Sequence, residues 1–236
     1  MEVVAAGLIV AFGALVQGTV GFGIALVAAP LLAILNPALV PVPVLLLAAA
    51  HALLTLAREF RATDWRGVAL AMIGRVPGAA LGTLAVTLLP DREFSILVAL
   101  TVLTCAGMSV LRCRLRPTAP ILLAAGLVSG ASGTASSIGG PPIALVYQHE
   151  TGPRVRSTLG AYFALGAVLS LLFLGAAGQV HVAGLLDGAL MLPFMVGGFL
   201  LSNPVRHVLD RGWTRPAVVA LAVLSALGLL AKALLT

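Results

Sequence analysis

Eight long apolar stretches, separated by short linkers that hold most of the arginines, dominate this 236-residue sequence. A membrane-spanning helix needs about 20 consecutive apolar residues, and most of the stretches approach or exceed that length. They lack the period-two alternation of membrane β-strands. The pattern therefore predicts an all-α integral membrane protein. The stretches are residues 3–35, 38–57, 67–89, 94–111, 121–147, 157–177, 183–201 and 217–235.

Charged residues are scarce. They make up 9% of the chain and hydrophobic residues 60%, whereas a soluble domain carries about 25% charged residues; a soluble protein is excluded. A net charge of +6 in a membrane protein reports topology first, so we expect a lipid bilayer around the chain and no nucleic-acid partner. Cys105 and Cys113 indicate neither a disulfide framework nor a metal site, and no cofactor is predicted.

Two segments, residues 16–30 and 128–145, are dense in Gly, Pro and small polar residues. Gly costs about 1 kcal/mol and Pro about 3 kcal/mol in a helix interior. In lipid, an interrupted backbone persists only where protein or a water-filled cavity satisfies its polar groups. Both segments are therefore predicted to be re-entrant helical hairpins inside the bundle. The residues expected to shape them are Gly18, Pro30, Gly130, Pro141 and Pro142.

The two interrupted segments also resemble each other, which indicates an internal duplication. A displacement of 112 residues places Pro30 on Pro142, and a displacement of 116 places Pro77 on Pro193. A repeat changes the interpretation of the whole fold. The predicted halves, which together form one structural domain, are residues 1–111 and 112–236.

The arginines favour one topology. If all eight stretches cross the membrane, Lys and Arg divide almost evenly between the two sides. If the interrupted segments re-enter instead, eleven arginines share one side, opposite Arg92 and Lys232. That bias places the arginine loops in the cytoplasm and both termini outside. Each half then has three spans, so the second is inverted, as in many secondary transporters. The eleven are Arg58, Arg61, Arg66, Arg112, Arg114, Arg116, Arg154, Arg156, Arg206, Arg211 and Arg215.

These features resemble the TauE/SafE family of sulfite-exporter-like permeases. The resemblance rests on residues 17–30, on residues 129–142 with their Gly-Gly-Pro-Pro end, and on the duplicated halves. The first copy departs from the second in having Ala28-Ala29 before Pro30. The resemblance covers essentially the whole chain. It implies a bacterial inner-membrane transporter, an exporter of small anions such as sulfite, sulfonates or related organosulfur acids.

A half-helix that begins inside the membrane presents unpaired N–H groups and a positive dipole end, which bind anions. We therefore expect a small anion to lie between the two hairpin tips and to be moved by alternating access. The alternative is close helix packing through small residues. The predicted binding residues are Gln17, Thr19, Gly21 and Gly23 in the first segment, and Gly133, Thr134, Ser136, Ser137, Gly139 and Gly140 in the second.

Arg75, His51 and Asp187 lie within the apolar stretches and could take part in transport. Arg75 could pair with the anion, because a guanidinium forks well onto oxyanions, or its side chain could snorkel to the cytoplasmic face. His51 could relay a proton, since histidine changes charge near neutral pH; packing is the alternative. Asp187 could couple protons or be an interfacial charge. A proton gradient is the expected driving force. The sequence is compatible with a homo-oligomer but does not determine the oligomeric state.

Other functional classes are weaker. The sequence from Gly130 to Gly133 fits the G-x-S-G pattern of intramembrane serine proteases, with Ser132 as nucleophile, but such a nucleophile needs a base within reach and the first copy has no serine. An anion channel cannot be separated from a carrier by sequence. The short loops disfavour a membrane assembly factor. No metal-binding or phosphate-binding motif occurs, so we predict a non-enzyme.

Overall fold

The computed structural model describes residues 2–20, 24–110, 115–209 and 214–235, and within them the chain is helical throughout its regular structure. Short 3₁₀ turns occupy Pro37–Leu39 and Phe60–Ala62. The α-helices are α1 (Glu2–Val20), α2 (Ile24–Leu35), α3 (Val42–Glu59), α4 (Trp65–Leu88), α5 (Asp91–Val110), α6 (Ala119–Ser136), α7 (Gly140–Tyr147), α8 (Gly152–Ala176), α9 (Val182–Leu209) and α10 (Thr214–Leu235).

Five stretches of the described residues are long and apolar enough to cross a membrane, which agrees with a multi-pass membrane protein. Their exposed residues are mainly large and apolar, as a lipid-facing surface requires. The five are Pro37–Ala57, Trp65–Leu88, Ala119–Ser136, Gly152–Ala176 and Val182–Ser202.

Each interrupted segment forms a long helix followed by a shorter one. Helices α1 and α6 have 19 and 18 residues, whereas α2 and α7 have 12 and 8. At 1.5 Å per residue α6 is about 27 Å long, close to the hydrocarbon thickness of about 30 Å. The first limb of each segment is thus much longer than half a membrane span.

The two prolines that the displacement of 112 pairs lie in different parts of their helices. Pro142 lies in the first turn of α7, where proline is tolerated, but Pro30 lies inside α2. The internal repeat itself stays a prediction.

Helices α4 and α6 run parallel with their backbones in contact. A Cβ added at Gly74 would lie 2.0 Å from the Leu123 carbonyl oxygen, and one at Gly78 would lie 2.2 Å from that of Leu127. Helices α1 and α9 approach in the same way. Small residues that let backbones meet are the usual means of helix association in membranes.

Gly18 and Gly130, which are predicted to shape the hairpins, lie within helices and pack closely against neighbouring helices. A Cβ at Gly130 would lie 2.5 Å from the Arg75 carbonyl oxygen, and one at Gly18 would collide with the side chain of Ser202. Both glycines are helical, in α6 and α1. The second interruption lies instead between Ser136 and Gly140, where Ser137 adopts a left-handed conformation (φ 64°). Residues 21–23, between α1 and α2, lie outside the described part of the chain.

Hydrogen bonds near the two ends of the helix bundle show at which end helix α7 finishes. At one end Tyr147, the last residue of α7, donates a hydrogen bond to Asp64 Oδ2 at 3.0 Å, just before α4. At the other end Lys232 Nζ donates to the Ile34 carbonyl at 2.9 Å. Because α6 is parallel to α4, α7 brings the chain back to the end of the bundle from which α6 started.

Asp64 connects three helices at that end. Its Oδ1 accepts the Gly67 N–H at 3.1 Å, which caps α4, and its Oδ2 lies 3.5 Å from Arg154 Nη2. Partial burial by itself would raise the pKa of Asp64, but hydrogen bonds from Gly67 and Tyr147 and the charge of Arg154 together bring that pKa below its ordinary value.

Replacing Asp64 with asparagine should lower the free energy of unfolding at neutral pH by about 0.5 kcal/mol, because asparagine still caps α4 but loses the negative charge that attracts Arg154. A carboxyl whose folded pKa is depressed stabilises above its unfolded pKa of about 3.9 and loses that effect as pH falls through the folded value. Thermal unfolding in detergent should thus show a wild-type advantage that shrinks under acid conditions. Asp91→Asn, at an exposed carboxyl, is the control; an Asp64→Asn deficit independent of pH would contradict the assignment.

Candidate functional site

A cavity of about 40 Å³ lies between the two interrupted segments, at the start of α2 and α7. Space of that size holds only a few water-sized atoms. Its apolar walls come from α2, α3 and α8, including Leu45, Phe163 and Ala167. The sequence-predicted residues that line it are Gln17, Arg75, Gly133, Ser137, Gly139, Gly140 and Pro141.

Other predicted residues lie elsewhere. The Thr134 hydroxyl bonds to Ser170 Oγ at 2.7 Å, and the Ser136 hydroxyl donates to the Ser132 carbonyl at 2.8 Å; neither residue lines the cavity. Asp187 lines a separate cavity of about 520 Å³ at the end of the bundle where α9 begins. Outside the described part of the chain are Gly21, Gly23 and the side chain of Thr19.

Arg75 on α4 is turned into the protein and is 3% exposed. Its Nη1 donates to Ser129 Oγ on α6 at 3.2 Å, and its Nη2 donates to Ser170 Oγ on α8 at 3.4 Å. Its Cζ lies 4.9 Å from the centroid of the Tyr162 ring, within cation–π range. The Arg75 side chain therefore does not extend to the membrane surface, as the snorkelling alternative requires. Its guanidinium lies in the interior and borders the cavity.

The guanidinium of Arg75 has a hydrogen-bond donor and a positive charge that its described neighbours do not satisfy. Its Nε is buried without a hydrogen-bond partner, and no carboxylate of the described residues lies within 4.0 Å of it. A buried cation without a counter-ion is costly. The acidic side chains that the structure describes cannot easily supply one, since all lie at or near helix ends: Asp64, Asp91, Glu93, Glu150 and Asp187.

Glycines make room for this guanidinium. A Cβ at Gly166 on α8 would lie 2.4 Å from both Cζ and Nε of Arg75, and one at Gly133 would lie 3.0 Å from its Nη2. Because only a residue without a side chain fits at Gly166, the close approach of α8 sets the position of the guanidinium.

The second interruption is joined to Arg75 through Ser129. The Ser129 hydroxyl accepts from Arg75 and donates to the Gly139 carbonyl at 2.5 Å, immediately before α7. The hydroxyl of Ser137 donates to the Pro41 carbonyl at 2.9 Å, which anchors the turn to the start of α3. The N-terminus of α7 is thereby held beside the cavity that Arg75 borders.

The first interruption is organised by Gln17. Its Oε1 accepts the N–H of Ile24, the first residue of α2, at 2.9 Å, and its Nε2 lies 3.0 Å from Nδ1 of His51. His51 is fully buried on α3, with Nε2 at 3.3 Å from the Ala14 carbonyl and its ring edge-on to Phe199. The structure thus joins two residues predicted for separate roles, Gln17 and His51.

Sequence reasoning missed Ser129, Ser170 and Tyr162, the three residues that hold the Arg75 side chain. A hydroxyl in an apolar stretch was the available signal, but which hydroxyl meets Arg75 depends on the packing of α4 against α6 and α8. Ser132, the protease candidate, donates its hydroxyl to the Val128 carbonyl of its own helix at 2.9 Å.

Comparisons with known proteins agree with this architecture. A family model described as "Sulfite exporter TauE/SafE" matches residues 5–229, so both interrupted segments and the whole cavity fall within the match. This confirms the resemblance predicted from the sequence. Neither curated proteins nor solved structures gave a significant match.

Proposed function

The chain belongs to the TauE/SafE family, which indicates membrane transport of sulfur-containing anions, and we propose that it is a secondary transporter that exports a small anion such as sulfite or a sulfonate. The single observation that carries the binding-site proposal is the buried guanidinium of Arg75, which borders the cavity and has no carboxylate of the described residues beside it. An oxyanion would supply the missing charge and accept the unused Nε–H.

The surroundings of Arg75 suit a small oxyanion. The N-termini of α2 and α7 border the same cavity and contribute positive dipole ends. Backbone groups around Gly133 and Gly139 can approach a ligand closely, because no side chain intervenes. The volume of about 40 Å³ favours a compact anion over a long-chain acid in this conformation.

We further propose alternating access by two inverted repeats with re-entrant hairpins. Contacts support this arrangement: α1 packs on α9 as α6 packs on α4, while α3 packs on α8 and α5 on α10. Exchanging the halves leaves that set of contacts unchanged. Rocking of one half against the other around a central site is the mechanism that such repeats typically use.

The orientation and driving force belong to the same proposal. The arginine-rich linkers face the cytoplasm of a bacterial cell under the positive-inside rule, and both termini are outside. Protons are the proposed coupling ion. We propose no enzymatic step, because the Ser132 hydroxyl bonds to its own helix and the family is one of transporters.

Flux into proteoliposomes tests the function. We expect saturable uptake of sulfite, thiosulfate or sulfoacetate that responds to a pH gradient, with chloride and acetate excluded, and none of it in protein-free liposomes. Ser132→Ala should leave flux unchanged. Unsaturable, voltage-driven current would favour a channel instead, and absence of flux for every sulfur anion would overturn the proposed substrate class.

A further inference from the structure

We infer that His51 couples protons to the anion through Gln17, by controlling whether the Ile24 N–H at the start of α2 is free to bind the anion. This inference rests on the proposed function and specifies how its site would respond to protons. His51 does not line the cavity; Gln17 and Ile24 both do. His51 is therefore a positioning residue that acts through Gln17.

The hydrogen-bond directions in this chain follow from the backbone. The Ile24 N–H can only donate, so the Gln17 atom it meets is Oε1. Gln17 Nε2 then donates to His51 Nδ1, which must be an acceptor without a proton. The remaining ring nitrogen, Nε2, carries the hydrogen that faces the Ala14 carbonyl. The geometry fits neutral His51 with its proton on Nε2.

Protonation of His51 at Nδ1 reverses one of these contacts. Two donors, His51 Nδ1–H and Gln17 Nε2–H, would then face each other, and turning the Gln17 amide over lets its oxygen accept from the ring instead. The Thr55 hydroxyl oxygen, 3.4 Å from Nδ1, is a more distant acceptor than the Gln17 amide, whose Nε2 lies 3.0 Å from Nδ1. The turned amide would present its NH₂ group to the Ile24 N–H, which loses its acceptor. A backbone donor at a helix N-terminus is then released toward the cavity, where it can bind an anion.

A second observation points to an anion in the same cavity. Arg75 borders this cavity from α4, is 3% exposed and keeps its Nε without a partner. An anion there would receive donors from Arg75 permanently and from Ile24 only when His51 is protonated. The added positive charge of the imidazolium acts in the same direction.

Of the titratable side chains that the structure describes, His51 is the one hydrogen-bonded to Gln17. Of those groups, Arg154 pairs with Asp64 and Glu150, and Asp187 lies by the cavity at the far end of α9. The side chains of Arg58, Glu59, Arg206 and His207 lie outside the described part. On the helices packed against α3 these groups are Glu2 on α1, Arg154, Arg156 and Tyr162 on α8, and Asp187, Arg206 and His207 on α9; Arg58 and Glu59 are on α3 itself.

Thermodynamic linkage between proton binding and anion binding sets the direction in which pH changes the anion affinity. If protonated His51 favours anion binding, then a bound anion favours protonation of His51 by the same factor. Anion affinity should therefore rise as pH falls and His51 takes up a proton; the interval to measure is about pH 8 to about pH 5, in which an unperturbed histidine changes charge. The proton and the anion would bind together and cross in the same direction.

The test is calorimetric binding of methanesulfonate, which stays ionised over this range, to the detergent-solubilised full chain. We expect wild-type Kd to fall about tenfold from the upper to the lower end of the histidine range, within the span usual for coupled sites. His51→Gln should bind weakly at both ends, because its amide can mimic neutral histidine. His149→Gln and His181→Gln, at exposed loop histidines, should retain the wild-type pH dependence.

A second variant acts in the opposite direction. Gln17→Met removes the acceptor from the Ile24 N–H, so affinity at high pH should rise toward the wild-type value at low pH. A wild-type Kd that does not change with pH, or an unchanged pH dependence in either variant, overturns the coupling while leaving the transport function standing. Failure of the wild type to bind any sulfur anion at either pH counts against both.

Discussion

Arg75→Gln should abolish saturable flux of sulfur anions and weaken their binding at least about hundredfold. Hydrogen bonds to a charged group contribute roughly 1.5–3 kcal/mol each, and each 1.4 kcal/mol is about a factor of ten. The variant should still fold, because removing a buried cation without a carboxylate partner does not leave a charge uncompensated. Calorimetric binding and proteoliposome flux, with thermal unfolding alongside, separate lost function from lost structure.

Two comparisons sharpen this prediction. Arg66→Gln removes an exposed arginine one residue into α4 and should behave as wild type. Arg75→Lys keeps the charge without the planar fork and should give intermediate binding. Full flux in Arg75→Gln would show that the anion is held elsewhere.

The position of the guanidinium can be tested without removing it. Gly166→Ala would place a Cβ 2.4 Å from Arg75 Cζ and should displace it, reducing flux strongly. Gly175→Ala, on the same helix, would meet nothing closer than Val180 Cγ2 at 3.9 Å and should be neutral. Equal flux in the two variants would mean that the exact placement of Arg75 does not matter.

Much of the architecture was accessible from the sequence, because apolar length and arginine spacing are one-dimensional signals. The membrane fold class and both interrupted segments follow from them. Arg75 was visible for the same reason, as an isolated charge in an apolar run. Whether its side chain turned inward was not, since that depends on Ser129 and Ser170 arriving from other helices.

The details of the interrupted segments were harder to predict. Glycine serves two purposes in a membrane helix, at breaks and at close contacts, and composition does not distinguish them. Gly18 and Gly130 pack against neighbouring helices, whereas Gly133 and Gly139 line the cavity.

The two halves contribute unequally to the cavity. Arg75 has Met191 as its counterpart 116 residues later, so the permanent cation comes from one half only. His51 and Gln17 belong to the first half as well, but Ser129 and the α7 turn that hold Arg75 belong to the second. An anion at Arg75 would thus bridge the halves, as a carrier that rocks around its substrate requires.

Gly198→Ala and Gly197→Ala should change stability in opposite directions although the residues are adjacent on α9. A Cβ at Gly198 would lie 2.0 Å from the Ala11 carbonyl oxygen on α1, whereas one at Gly197 meets nothing within 4 Å. Alanine is otherwise favoured over glycine in a helix by about 1 kcal/mol. Gly197→Ala should therefore raise the unfolding temperature. Gly198→Ala should lower it, because overpacking costs about 1–3 kcal/mol or more.

We expect Gly198→Ala to be strongly destabilising because the added Cβ would meet backbone rather than a side chain. A flexible side chain could move aside, but the Ala11 carbonyl is part of α1 and can yield only if the whole helix shifts. Such a shift would also move Gln17, which lies on the same helix, away from His51 and Ile24. Thermal unfolding and anion binding should therefore be impaired together in Gly198→Ala. Loss of binding with unchanged unfolding temperature would instead indicate that α1 moves freely against α9, contrary to the close packing seen here.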